Sequence, residues 1–260
     1  MTPHSFDDSE AYEQFMGPWS REVGKALLAW LQPPAGVHWL DVGCGTGIFT
    51  ELICDSCAPA SVIAVDPAEA QIAHARKGGA RRKAEFRLAD AQVLPFPDAC
   101  FDVVASALVM NFVPNRAHAM SEMRRVARPG GLIAACVWDF AAELSPSGPL
   151  RRAMRRIGID APPVPGTDAS RLAALVELFE KGGLEAVTTT SIDVAVSFRD
   201  FDAYWLSQTP RYTPTTQAIA AMSLRDRRVM MEAVGADLRP LPDGIGHSAR
   251  ANAVRGFCPA

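Results

Sequence analysis

The chain has 260 residues, 48% of them apolar and 21% charged, the balance of a soluble globular protein long enough for one α/β domain plus a small cap. A net charge of −3 provides no field to draw in nucleic acid or an anionic membrane surface. No apolar run approaches the roughly 20 residues that span a bilayer, so neither nucleic acid nor a membrane span is expected.

Met1 to Glu10 is polar and acidic, unlike a secretory signal, and the cytoplasm is the expected compartment. The next stretch, Tyr12 to Ser20, is aromatic for a terminus: Tyr12, Trp19 and Ser20 could fold over a ligand as a lid, or the aromatics could dock the first helix on a sheet. From Arg21 to Leu31, apolar residues at Val23, Ala26, Leu27, Trp30 and Leu31 predict a helix with one apolar face, stopped by Pro33-Pro34. Trp39 to Val42 reads as a buried strand, and Ile48, Phe49, Leu52 and Ile53 open a helical pattern. Gly43, Gly45 and Gly47 therefore sit on a strand-to-helix turn, where bare backbone and the free N–H groups of the helix can meet a ligand.

The glycine spacing is G-x-G-x-G. It matches neither the G-x-G-x-x-G of dinucleotide folds nor a P-loop, which needs Gly-Lys-Ser/Thr. A second strand, Ser61 to Asp66, ends in an acid 19 residues beyond Gly47, placed to accept hydrogen bonds from a ribose diol. A helix over residues 68–77, a strand over 84–88 running into Asp90, and a strand over 101–107 follow. Residues after that strand leave the sheet at its C-terminal edge, where ligands collect, which makes Asn111 and Phe112 candidates for the floor of a reaction site. A helix over 117–127, the turn Pro129-Gly130-Gly131 and a fifth strand from Leu132 to Trp138 put Asp139 at the same edge. Strands alternating with helices imply a mostly parallel sheet.

Beyond it, Arg151, Arg152, Arg155 and Arg156 share one helix face, read as solvated although able to grip a carboxylate or phosphate. Pro162 to Pro165 is a stiff linker, and Ser170 is the predicted N-cap of a helix with Gly182-Gly183 after it. Leu184 to Phe198 predicts a sixth strand and Gly246 to Phe257 the last. Between them, residues 199–240 form a helical insertion with Phe201, Tyr204, Trp205, Met222, Met230 and Met231, and with Ser223 capping its final helix. Such an insertion cannot complete the sheet, so it is expected to cap the ligand edge. It then favours an apolar or aromatic small-molecule acceptor, unless these side chains form only the cap's own core. The organisation expected is a core over 1–198 with an N-terminal lid, a cap over 199–240, and a return strand over 241–260.

Asp41-Val-Gly-Cys-Gly-Thr-Gly47, Asp66, Ala89-Asp90-Ala91-Gln92 and Arg125-Val-Ala-Arg-Pro-Gly-Gly131 occur in an order and spacing that resemble the class I S-adenosylmethionine-dependent methyltransferases, in particular the small-molecule branch that includes ubiquinone and menaquinone biosynthesis enzymes. The resemblance covers roughly Trp39 to Asp139. It implies a Rossmann-like, doubly wound seven-stranded sheet, mostly parallel with an antiparallel last strand, and S-adenosylmethionine as cofactor, leaving as S-adenosylhomocysteine. It further implies that Asp41, Gly43, Cys44, Gly45, Thr46 and Gly47 approach the methionine part, Asp66 with Pro67 the ribose, and Asp90, Ala91 and Gln92 the adenine. Ala107, Asn111 and Phe112 complete the cofactor set, with Tyr12, Trp19 and Ser20 above it.

The expected reaction is in-line methyl transfer to an O, N or C atom of a small molecule, for which positioning is the main requirement. Asp139, Asn111 and Tyr204 are the candidates for contact with the acceptor, with Tyr212 beside them, whereas His118 and His247 read as structural. The six cysteines show no regular framework, and Cys54-Asp-Ser-Cys57 lacks the second half of a zinc site, so no metal is expected. The alternatives are a protein that binds the cofactor without turnover, and a nicotinamide-dependent oxidoreductase, against which the glycine spacing counts.

Overall fold

The computed structural model describes residues 9–79, 83–211 and 213–260, with side chains from residue 13 onward. Strands β1 (His38–Val42), β2 (Ser61–Asp66), β3 (Glu85–Leu88), β4 (Phe101–Ala107), β5 (Ala127–Trp138), β6 (Glu185–Phe198) and β8 (Gly244–Phe257) lie in the order β3-β2-β1-β4-β5-β8-β6. β8 is antiparallel to both neighbours, so all the others run one way, as expected. A short eighth strand, β7 (Arg239–Leu241), pairs with the start of β8 as a hairpin and was not foreseen. The order reverses between β1 and β4, the position at which parallel sheets open a crevice.

The central strands are buried on both faces, whereas edge strand β6 is largely exposed, and alternation along β5 shows how the centre is covered. Leu132, Ala134, Cys136 and Trp138 pack with α1 (Ser9–Leu31), α2 (Ile48–Ser56) and α3 (Glu69–Ala75), while Ile133, Ala135 and Val137 pack with α4 (Arg116–Val126) and α6 (Leu172–Lys181). Successive strand side chains point to opposite faces, so a continuous apolar run is what a doubly covered strand requires. The Pro129-Gly130-Gly131 turn lies within the extended run of β5. There the register with β4 jumps from Phe101↔Ala127 to Val103↔Leu132, an irregularity that makes room for the turn.

Helix α1 departs from expectation. It begins at Ser9 and runs through Pro18 without a break, because Met16, Trp19, Val23 and Leu27 continue one buried stripe across the proline. Helices α7 (Phe201–Gln208), α8 (Pro214–Ala220) and α9 (Leu224–Asp237) make up the insertion. They are joined by α5 (Gly148–Arg156), assigned to the core in the sequence reading: Leu150 and Met154 share a core with Tyr204, Ile219, Met230 and Val234. Ser223 caps α9 as expected, accepting from Asp226 N at 3.1 Å. Ser170 does not cap α6. Its hydroxyl donates to Thr167 O at 2.6 Å and accepts from Ala141 N at 3.1 Å, which ties the loop after β5 to the loop before α6.

Candidate functional site

The turn between β1 and α2 is held by its backbone. Gly43 N and Cys44 N both donate to Val65 O, at 2.7 and 2.9 Å, which fixes the loop against the end of β2. Gly43 has φ +78, and a Cβ there would lie 2.6 Å from both Val109 methyls. Gly45 has φ +53 and its Cβ direction is open, with no atom within 4 Å. One glycine admits the chain after β4 and the other leaves space for a ligand. Thr46 donates to Glu13 at 2.8 Å and so fastens α1 over the turn.

Three acids stand around this turn in different environments. Asp66 accepts from Gly45 N at 3.0 Å and Ala68 N at 2.9 Å, and burial raises its pKa against those two hydrogen bonds. Asp41, beneath the loop and 1% exposed, accepts from Thr50 Oγ at 2.6 Å while its other oxygen has no partner among the described residues. Burial pushes Asp41 up to about 7; the Thr50 hydrogen bond works against that rise and the Asp66 charge adds to it. Asp90, after β3, accepts from Gln92 N at 2.8 Å and from the Gln92 side chain, which itself accepts from Asn115 N.

A cavity of about 370 Å³ opens over the C-terminal ends of β1, β2, β4 and β5. Of the residues expected at the cofactor, Gly43, Gly45, Asp66, Pro67, Asp90, Ala91, Gln92 and Phe112 line it. Asp41, Cys44, Thr46 and Gly47 lie behind the wall, where they shape the turn; burial holds the Cys44 thiol protonated, well above its ordinary value. Ala107 is replaced on the wall by Leu108 and Val109, because the chain turns at Leu108, φ +65. The side chain of Tyr12 lies outside the described residues, as does Tyr212.

Several other expectations are corrected by the packing. Trp19 is wholly buried, edge-on to Trp138 at 6.3 Å and near His247 at 5.4 Å, so it docks α1 on the sheet; Phe15 and Met16 face the cavity from the same helix. Ser20 is half-buried and its hydroxyl is not on the wall. Asn111 turns away: its amide donates to Pro165 O at 3.2 Å, and Gly166 sits so close that a Cβ would reach 1.9 Å from Asn111 O. Asp139 accepts from Ala142 N at 3.0 Å, closing a turn after β5. Tyr204 is 0% exposed in the cap core, edge-on to Phe198 at 5.2 Å, and burial raises its phenol so that it keeps its proton. None of Asn111, Asp139 and Tyr204 lines the cavity.

Gln208 and Thr213 of the insertion stand on the wall, so the insertion reaches the ligand edge as expected, and Leu150 and Arg151 on α5 and Pro162 to Val164 of the linker join it; Phe140, Ser145 and Ser147 after β5 were not singled out in the sequence. Among the described residues, the ionisable groups on the wall are Asp66, Asp90 and Arg151. No group of three or more His, Cys, Asp or Glu among the described residues could hold a metal ion, and no described helix is long and apolar enough to cross a membrane.

Residues 40–135 match the family model described as a methyltransferase domain. A malonyl-[acyl-carrier protein] O-methyltransferase from Erwinia pyrifoliae is 31% identical over 183 residues, covering 69% of this chain and 63% of that protein. A ubiquinone/menaquinone biosynthesis C-methyltransferase from Paracoccus denitrificans is 37% identical over 110 residues, covering 41% and 44%. The chain thus spans less than two thirds of either relative. Among solved structures, a Haemonchus contortus phosphoethanolamine N-methyltransferase bound to S-adenosylhomocysteine superposes with a TM-score of 0.60 at 18% identity, over 98% of this chain and 58% of that one, and shows the shared Rossmann-like fold.

Proposed function

From the match of residues 40–135 to a methyltransferase domain, we propose that the chain transfers a methyl group from S-adenosylmethionine to a small-molecule acceptor. The observation that carries this is the pairing of Asp66 with the open backbone at Gly45 on one wall of the cavity. Asp66 would accept from a ribose diol, the open backbone at Gly45 would leave room for the methionine part, and Asp90, Ala91 and Gln92 would hold the adenine. When bound, the cofactor supplies an electrophilic methyl group, already activated by the sulfonium.

The chain's own residues bind, orient and exclude water. Phe15, Met16, Phe112 and Phe140 make the remaining wall apolar, which suits an acceptor with an apolar or aromatic body. Among the described residues no side chain on that wall is placed to act as a base: Asp66 and Asp90 serve the cofactor, and Arg151 is a cation. Catalysis rests on alignment, and the pH dependence of turnover follows the acceptor's own ionisation.

Titration calorimetry with S-adenosylmethionine, S-adenosylhomocysteine and NAD tests the reading, followed by a methyl-label screen of small acceptors. Binding of both adenosyl ligands and none of NAD is expected; NAD binding alone would return the chain to the oxidoreductases. Asp66→Ala is expected to weaken S-adenosylhomocysteine binding by about 1–3 kcal/mol. Because this change also strands Gly45 N and Ala68 N, Asp66→Asn is the control: it restores one acceptor for the loop and should still bind poorly. Unchanged affinity in a folded Asp66→Asn protein would remove the ribose assignment.

A further inference from the structure

On α5, three of the four arginines are engaged with acids. Arg152 pairs with Asp237 at 3.0 Å, Arg156 with the same carboxylate at 3.0 Å, and Arg155 with Glu143. These pairs fasten α5 to the end of α9 and to the loop after β5; Arg155 and Arg156 lie exposed, as the solvated reading expects, while Arg151 and Arg152 are half-buried. Arg151 differs. It is half-buried, its Nη1 donates to the carbonyl of Pro162 at 2.6 Å, and no carboxylate lies within ion-pair distance among the described residues. It is the cation on the cavity wall among the described residues, and the other charged groups there, Asp66 and Asp90, stand at the cofactor end.

Two residues of this wall carry covered polar atoms without protein partners. The Trp138 indole N–H and the Gln208 amide oxygen are each in a residue no more than 3% exposed, and neither finds a hydrogen-bond partner among the described residues. Burial disfavours the Arg151 charge, the Glu143 carboxylate favours it from beyond ion-pair contact, and an anion on a ligand would complete its pairing. The planar guanidinium fork of Arg151 suits a carboxylate or phosphate in particular, whereas the Gln208 amide oxygen is an acceptor and suits a donor rather than an anion. Around them the wall is apolar, through Phe112, Phe140 and Leu150.

We propose that the acceptor carries an anionic oxygen group, carboxylate or phosphate, on an apolar body, and that Arg151 recognises this group and sets the acceptor's orientation. The proposal rests on the methyltransferase reading and names the substrate class of that same cavity. Arg151 is a specificity and positioning residue; the reacting atom lies elsewhere on the acceptor.

The test uses the full chain saturated with S-adenosylhomocysteine. Octanoate, 4-hydroxybenzoate and phenyl phosphate are titrated against their neutral counterparts octanamide, 4-hydroxybenzamide and benzyl alcohol, in the native chain and in Arg151→Met and Arg151→Lys. At least one anion is expected to bind more tightly than its neutral counterpart, by about ten- to a hundredfold, and to lose that advantage in Arg151→Met. Arg151→Lys should retain part of it as a point charge, and the comparison of carboxylate with phosphate shows which head group the fork prefers. Equal binding of anions and neutral counterparts, no anion binding, or an anion preference that survives in Arg151→Met would each overturn the proposal. So would a loss of S-adenosylhomocysteine affinity in a folded Arg151→Met, which would assign the guanidinium to the cofactor's own carboxylate. Failure of the native chain to bind S-adenosylhomocysteine at all would instead strike the methyltransferase reading.

Discussion

Gly43→Ala is expected to destabilise the chain by roughly 2–5 kcal/mol, whereas Gly45→Ala, two residues on, should cost the fold about 1 kcal/mol and fall mainly on ligand binding. Both positions have positive φ, so an alanine bears backbone strain at either. The difference lies in what the added methyl meets. At Gly43 it would lie 2.6 Å from two methyls and 3.0 Å from the Cβ of Val109, a β-branched side chain in the turn after β4 whose Cβ moves only with its backbone. At Gly45 it meets nothing within 4 Å and would project into the space assigned to the cofactor. Denaturant titration of both variants and calorimetry with S-adenosylhomocysteine separate the two effects; affinity should fall on the order of tenfold or more in Gly45→Ala. Val109→Ala in the Gly43→Ala background should recover the steric part and leave the backbone part, a coupling that a double-mutant cycle reads directly. A Gly43→Ala chain as stable as the native one would mean the turn is not packed as described.

The parallel core was legible because buried strands carry their own signature. Trp39 to Val42, Ser61 to Asp66 and Phe101 to Ala107 are short apolar runs ending at turns, and burial on both faces leaves them no other place. The site's polar ends followed, since acids at strand termini fall on one edge of the sheet. What escaped was set by contacts between residues distant in sequence. Trp19 could be a lid or a dock until α1 was seen to continue through Pro18; the stripe from Met16 to Leu27 was the available signal, and the Gly17-Pro18 pair hid it. Arg155 and Arg156 are exposed as read, but the pairing of Arg152 and Arg156 was hidden because Asp237 lies more than 80 residues further along the chain. Ser170 fits an N-cap pattern, yet a carbonyl at Thr167 and an N–H at Ala141 bind its hydroxyl first, a competition that local pattern cannot rank. Asn111 leaves the sheet at the ligand edge as expected, but the linker at Pro165 and Gly166 clamps it from behind.

Two buried groups should impose opposite pH dependences on stability, and single variants should expose each. Asp41 titrates near 7 in the folded chain and near 3.8 when unfolded, so between those values the folded state holds a proton that the unfolded state has released. Its contribution is therefore full below pH 4 and is lost as pH rises through 7. His247 is the reverse case. Burial, with the Arg152 charge second, pulls it down to about 4 from 6.5, so it folds neutral beside Trp19 and Tyr204, and its contribution is present above pH 6.5 and is lost as pH falls through 4. Over the interval from 4 to 6.5 the two slopes oppose, which flattens the native profile. Asp41→Asn keeps an oxygen for the Thr50 hydroxyl and removes the titration. That variant should be more stable than the native chain at pH 8 by roughly 2–4 kcal/mol, lose the advantage near pH 4, and show the rise with pH that His247 alone gives. His247→Gln should show the opposite slope, declining from pH 4 to 7. Thermal melts of the three proteins across this range decide the matter: parallel curves would mean that neither group changes its protonation on folding, and an Asp41→Asn chain less stable at pH 8 would mean that the buried carboxylate is ionised and held by a partner beneath the glycine turn.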